Sequence, residues 1–280
     1  MTSTGPREPG AGRRRGATPS ASPPEPAGAS AAGGSSTAAG TPEAAGPLTR
    51  GLIVVGPGAS FGVELLRRYG REGFALGVVS RSADTLSRMR DALAGDGLPV
   101  VGAVADVADV TDSPALADAV ERVCAEIGGL TVLVYNAKLS IRGAALTVAA
   151  ETLNQTLAVN VTGALAAVQV AAGLLDDRLA ATIMVTAAGP RTEPVAGRFA
   201  LAVGKAGLTA LAEALRPTLA ARGIRLRTVV LDGWVSPAGP LRPDEVADHC
   251  WQAFVAPRGD VFRLAQVRRD TAVAQLPLEV

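Results

Sequence analysis

The sequence predicts an α/β fold, a doubly wound parallel sheet of about seven strands with helices on both faces. Two observations predict it. Short continuous apolar runs of strand length alternate along the chain with segments of helical period. A glycine-rich turn joins the first run to the first helical segment. Parallel neighbours need a crossover, and each crossover helix must cover a face of the sheet, so alternation implies burial on both sides.

The elements follow in order. GLIVV at 51–55 is a buried strand, and the helix after it, about 61–71, repeats Val63, Leu65, Leu66 and Tyr69 at helical spacing. FALGVV (74–79) is a strand, SADTLSRMRDALA (82–94) a helix and LPVVGAVA (98–105) a strand. SPALADAVERVCAEIG (113–128) then reads as a helix and TVLVYNA (131–137) as a strand. A long helix is expected over 153–174 and a strand over 181–186, followed by the helix that opens with FALAVGK (199–205). RLRTVVL (225–231) is a strand, 244–254 a helix and 261–267 the last strand.

Composition narrows the function classes. The 280 residues are 48% hydrophobic with net charge +1, which suits one globular domain with a large core and argues against a nucleic-acid binder. Residues 1–48 are rich in Gly, Pro, Ala, Ser and Thr and lack apolar periodicity, so they are expected to be a disordered low-complexity tail before a single domain over 49–280. Its Arg13-Arg14-Arg15 cluster precedes no apolar stretch, which argues against a secretory signal. No run of about 18 apolar residues occurs, so no membrane span is expected. Cys124 and Cys250 fall inside helical segments, which favours a reducing cytoplasm over a disulfide framework. With His249 as the only histidine, no metal-ligand spacing is present.

VVGPGASFG places Gly56, Gly58 and Gly62 between strand and helix, where free helix N–H groups and the positive dipole end can receive a pyrophosphate. Gly56 allows the sharp turn, and Gly62 allows helix and strand to approach closely. At the end of the second strand, Ser80 and Arg81 stand where an NAD-preferring site places an acid. Arg81 suits a 2′-phosphate, so NADP(H) is favoured over NAD(H).

FALAVGK poses a separate problem. Lys138 and Lys205 are the only lysines in the chain, and Lys205 ends an apolar helix face where an ammonium is costly unless something binds it.

These signals, in this order, resemble the classical short-chain dehydrogenase/reductase family, a Rossmann fold, over nearly all of 50–267. The glycine motif matches Gly56 and Gly62, with Ser60 where a third glycine is usual and Phe61 beginning the helix. Asp106 and Val107 match the acid after the third strand that faces the adenine. Asn136 and Ala137 match the motif after the fourth strand, while Tyr135 and Lys138 depart from it. Asn160 matches the helix asparagine; Gly233 and Val235 fall in the turn after the sixth strand, which has Asp232 in place of proline. The resemblance assigns Lys205 to the lysine that bonds the nicotinamide ribose, and Asn160 and Lys205 to what remains of the catalytic set.

The family's tyrosine, four positions before that lysine, is Leu201 here, and its serine is Ala188. A positioned general acid contributes typically ~10²–10⁴-fold, so ordinary ketone reduction should be heavily slowed. Thr186, Arg191, Thr192 and Ser140 are possible substitute donors. Two functions are therefore carried forward. One is an NADP-dependent oxidoreductase of altered chemistry acting on a small organic substrate; the other is a non-redox or impaired protein that binds NADP(H) as sensor, partner subunit or repurposed enzyme. A generic dinucleotide or nucleotide-sugar binder agrees less well with the ordered motifs. The resemblance also implies a homodimer or homotetramer built on the alanine-rich long helices, and a short loop in which Trp234 is a candidate pocket wall.

Overall fold

A computed structural model describes residues 49–107, 113–175, 179–188 and 197–265. The expected tail at 1–48, residues 266–267 of the last expected strand, Arg191 and Thr192 lie outside them. Seven strands form one parallel sheet in the order β3-β2-β1-β4-β5-β6-β7. They are β1 (Gly51–Val55), β2 (Ala75–Ser80), β3 (Val100–Val104), β4 (Val132–Tyr135), β5 (Thr182–Ala188), β6 (Arg225–Asp232) and β7 (Val261–Ala265). The helices are α1 (Phe61–Gly70), α2 (Ala83–Ala94), α3 (Ser113–Ile127), α4 (Ala150–Leu157), α5 (Gly163–Leu174), α6 (Phe199–Ala220) and α7 (Pro243–Val255).

Alternation along the central strands divides the core into two layers. Ile53 and Val55 of β1 face a cluster with Leu116, Val120, Ala167 and Leu208 from α3, α5 and α6. Leu52 and Val54 face the opposite cluster, with Leu65, Tyr69, Met89 and Val246 from α1, α2 and α7. Each inner strand is thus buried on both faces, which is why its sequence reads as a continuous apolar run. The second layer ends in an aromatic group in which Tyr69 meets Phe74 and Trp251 edge-on, both with ring centroids 5.2 Å apart.

One expected helix is interrupted. Instead of an unbroken helix over 153–174, α4 and α5 are separated by a π-helical turn at Ala158–Thr162. The stretch Ala150–Leu174 is long and apolar enough to cross a membrane by length and composition, with mean hydropathy 1.7. Its Ala164, Ala167, Val168 and Ala171 lie in the core.

Candidate functional site

The strand order reverses between β1 and β4, and the crevice beyond their carboxyl ends is where a doubly wound sheet receives a ligand. The turn after β1 is shaped for close approach. Gly56 has φ 67°, and a Cβ there would lie 2.4 Å from Cα and Cβ of Ala137, so only glycine lets this turn seat on the loop after β4. A Cβ on Gly62 would meet Pro57 at 2.4 Å and Met89 Cε at 2.7 Å, which fixes α1 against α2. A Cβ on Gly58, with φ 72°, would meet nothing nearer than Asn136 Nδ2 at 3.9 Å. Ser60, before α1, makes no side-chain cap bond, so first-turn N–H groups remain for an anion. Phe61 turns into the core.

Asn136 ties this turn to the neighbouring strand. Its Nδ2 donates to the carbonyls of Gly56 at 2.9 Å and Pro57 at 3.2 Å, while its Oδ1 accepts from Thr186 Oγ1 at 2.9 Å. The carbonyl of Thr186 in turn accepts from Lys205 Nζ at 2.6 Å. Lys205 is 7% exposed and has no other hydrogen-bond partner among the described residues. Burial, with a smaller contribution from the charge of Lys138, pushes its ammonium down to about 7. An ammonium with one bond made and N–H groups to spare suits ribose hydroxyls.

Asn160 sits in the π turn, fully buried. Its Oδ1 accepts from the N–H of Leu139 at 2.8 Å and its Nδ2 donates to the carbonyl of Leu139 at 3.2 Å. Both ends of the amide are spent on the loop after β4, so Asn160 acts here by positioning that loop. Gly204 permits this, since a Cβ there would strike Asn160 Nδ2 at 2.7 Å; Gly163 makes room for a different contact, where a Cβ would strike the carbonyl of Val107 at 2.6 Å and the Tyr135 hydroxyl at 2.8 Å. Tyr135 explains the π turn, because its hydroxyl donates to the carbonyl of Val159 at 2.5 Å and gives that helix carbonyl a partner from the sheet. Sequence reading missed Gly163, Gly204 and the anchoring role of Tyr135; only the departure of Tyr135 from the motif signalled it.

Other expected residues fall around the same edge. Ser80 is buried; Arg81 beside it is exposed, with no hydrogen bond or ion pair among the described residues. Asp106 is exposed and Val107 half-buried at the end of β3. Ala137 is buried against Gly56. Gly233 lies under Leu241, and Val235 pairs with Leu241 across the loop. Asp232 Oδ2 accepts from Arg263 at 2.9 Å. Trp234 is 65% exposed, whereas Trp251, on α7, is buried in the second core layer.

Of the substitute donors, Thr186 already gives its hydroxyl to Asn136, while Ser140 Oγ accepts from Arg198 Nη1 at 2.6 Å and keeps its own O–H to donate; Arg191 and Thr192 lie outside the described residues. Tyr69 and Tyr135 are buried, hydrogen-bonded and raised well above the usual phenol range, chiefly by burial. Leu201, half-buried, stands one turn before Lys205, and Ala188 is exposed at the end of β5.

The sequence model of the short chain dehydrogenase family matches residues 51–238. The chain belongs to that family. Short-chain dehydrogenases bind nicotinamide cofactors on a Rossmann sheet, and the uncapped α1 terminus, the glycine cradle and the buried Lys205 fit such a group. The chain is 25% identical over 211 residues to D-threitol dehydrogenase of Mycolicibacterium smegmatis, covering 75% of this chain and 76% of that protein. It is 28% identical over 179 residues to the human mitochondrial dehydrogenase/reductase SDR family member 2, covering 64% and 62%. Among solved structures, a short-chain dehydrogenase/reductase from Serratia marcescens superposes with TM-score 0.68 at 25% identity, over 78% of this chain and 96% of that one. An alcohol dehydrogenase from Thermococcus sibiricus, complexed with 5-hydroxy-NADP, shares the fold with TM-score 0.69 at 18% identity, over 80% and 99%.

Proposed function

We propose that this short-chain dehydrogenase homologue binds NADP(H) in preference to NAD(H) and moves hydride to or from a small organic substrate through an altered active site. The observation that carries the reading is Lys205, 7% exposed and, among the described residues, bonded only to the Thr186 carbonyl, with N–H groups left over at the end of the cofactor crevice. Bound nicotinamide would supply or accept the hydride. The α1 N–H groups and Gly58 would hold the pyrophosphate, Arg81 the 2′-phosphate, and Lys205 the nicotinamide ribose. Asn136 and Asn160 hold those parts in register through the bonds to Gly56, Thr186 and Leu139.

With Leu201 where the family's phenol stands and Ala188 where its hydroxyl stands, Lys205 is the titratable side chain one turn along α6 from the missing phenol. Its value of about 7 makes it competent to give or take a proton near neutral pH. We also propose a cytoplasmic homodimer or homotetramer, supported by the free buried Cys124 and Cys250 and by the exposed alanines on α6, Ala202, Ala206 and Ala210.

Leu201 and Ala188 favour a second reading, a protein that binds NADP(H) without redox turnover. Incubation of the purified protein with NADPH and a panel of ketones, enones and imines separates the two. Stereospecific oxidation of the cofactor supports the first reading. Tight binding with no turnover in any class supports the second.

A further inference from the structure

The chain's only two lysines converge with an arginine at the end of the crevice. Lys138 lies on the loop after β4, one residue before Leu139, whose N–H and carbonyl are both held by Asn160. Ser140, next along, is held by Arg198. Arg198 opens α6, the helix that carries Lys205, and the two segments are laced by backbone bonds from Gly143 N–H to Gly197 at 2.8 Å and from Phe199 N–H to Gly143 at 3.3 Å. Lys138 feels the charge of Arg198, and Lys205 feels that of Lys138, each after the larger effect of burial.

None of the three cations has an acidic partner among the described residues. Arg198 donates its side chain to a hydroxyl, Lys205 to a carbonyl, and Lys138 makes no hydrogen bond among the described residues. Cations held together without a counter-ion destabilise the fold, and an anion that binds there offsets the cost. The departure of Lys138 from its family motif creates this cluster.

We infer that the substrate is a small oxo acid whose carboxylate is seated by Lys138 and Arg198, with the reacting carbonyl placed toward Lys205. The inference rests on the NADP(H) reading above. In reduction, the carbonyl carbon gains hydride as the C4–H bond of NADPH breaks, and the carbonyl oxygen gains a proton from the Lys205 ammonium, which takes one back from water. Hydroxy acid and NADP⁺ result. The same cations would stabilise negative charge growing on that oxygen, part of what a phenol and a serine hydroxyl would otherwise do.

The test titrates matched pairs, 2-oxo and 3-oxo acids of increasing chain length against their methyl esters, calorimetrically into protein saturated with NADP⁺. The expected result is at least one pair in which the acid binds about ten-fold or more tightly than the ester. Lys138→Met should abolish that difference and Lys138→Arg preserve it, while NADP⁺ affinity stays unchanged. Lys138 makes no hydrogen bond among the described residues and its side chain reaches the surface while its surroundings are partly desolvated, so both variants should fold, and melting curves check this. Equal binding of acid and ester in every pair, no binding of any acid, or a Lys138→Met effect confined to NADP⁺ overturns the inference alone. Absence of NADP⁺ binding overturns the reading beneath it as well.

Discussion

Lys205 and Thr186 are joined by a 2.6 Å bond from a buried ammonium to a backbone carbonyl, and this bond links α6 to the end of β5. Because Thr186 also donates to Asn136, and Asn136 to Gly56, a single polar chain runs from the proposed pyrophosphate turn to the proposed ribose cation.

Lys205 gives stability a pH dependence. Below about pH 7 the ammonium is charged in folded and unfolded chains alike, and the folded state bears the full cost of burying it. Between about 7 and the ordinary 10.5 the folded protein releases a proton that the unfolded chain keeps, so stability rises with pH. The gain, on the order of a few kcal/mol, ends above 10.5. Chemical denaturation at a series of pH values should show this slope in the wild type, and Lys205→Met should flatten it. An equal slope in the variant would assign the effect to another group.

Leu201→Tyr, with Ala188→Ser, should return a proton donor one turn from Lys205. Ketone reduction with NADPH should rise by about 10²-fold or more over the wild-type rate. No gain in a folded double variant that binds NADPH would place the reacting carbonyl elsewhere.

Arg81 should discriminate the cofactors by its charge alone. Arg81→Ala should weaken NADPH by about ten-fold in a fluorescence titration and leave NADH nearly unchanged, because only NADPH carries the 2′-phosphate. Equal weakening of both would remove Arg81 from the phosphate site.

Gly204 and Gly173 should respond oppositely to the same substitution. Alanine is the better helix former by about 1 kcal/mol, and Gly173 on α5 has no atom within 4 Å of an added Cβ, so Gly173→Ala should stabilise by about 0.5–1 kcal/mol. At Gly204 the added Cβ meets Asn160 Nδ2 at 2.7 Å, so Gly204→Ala should destabilise by about 1–3 kcal/mol in urea unfolding. Stabilisation at both sites would mean that Asn160 is free to move.

The sheet was legible because β1, β4 and β5 are buried on both faces and so appear as apolar runs, and the glycine turn was legible because its backbone geometry demands glycine. The cost of a buried lysine was legible at Lys205 from the apolar residues before it. The π turn was not, since the sequence of α4 and α5 carries an ordinary helical pattern and the displaced carbonyl of Val159 is claimed by Tyr135 from a distant strand. Nor was the role of Thr186, whose carbonyl does the accepting and leaves no mark on side-chain identity. The meeting of Lys138 with Arg198 depends on backbone bonds between separate segments, which no local pattern encodes.

The most direct test of the central claim is calorimetric titration of NADPH into the wild-type protein and into Lys205→Met. Saturable binding by the wild type, weakened about ten-fold or more in a folded variant, is the predicted result. Equal affinity in the two proteins, or no binding of NADPH or NADH by the wild type, would contradict it.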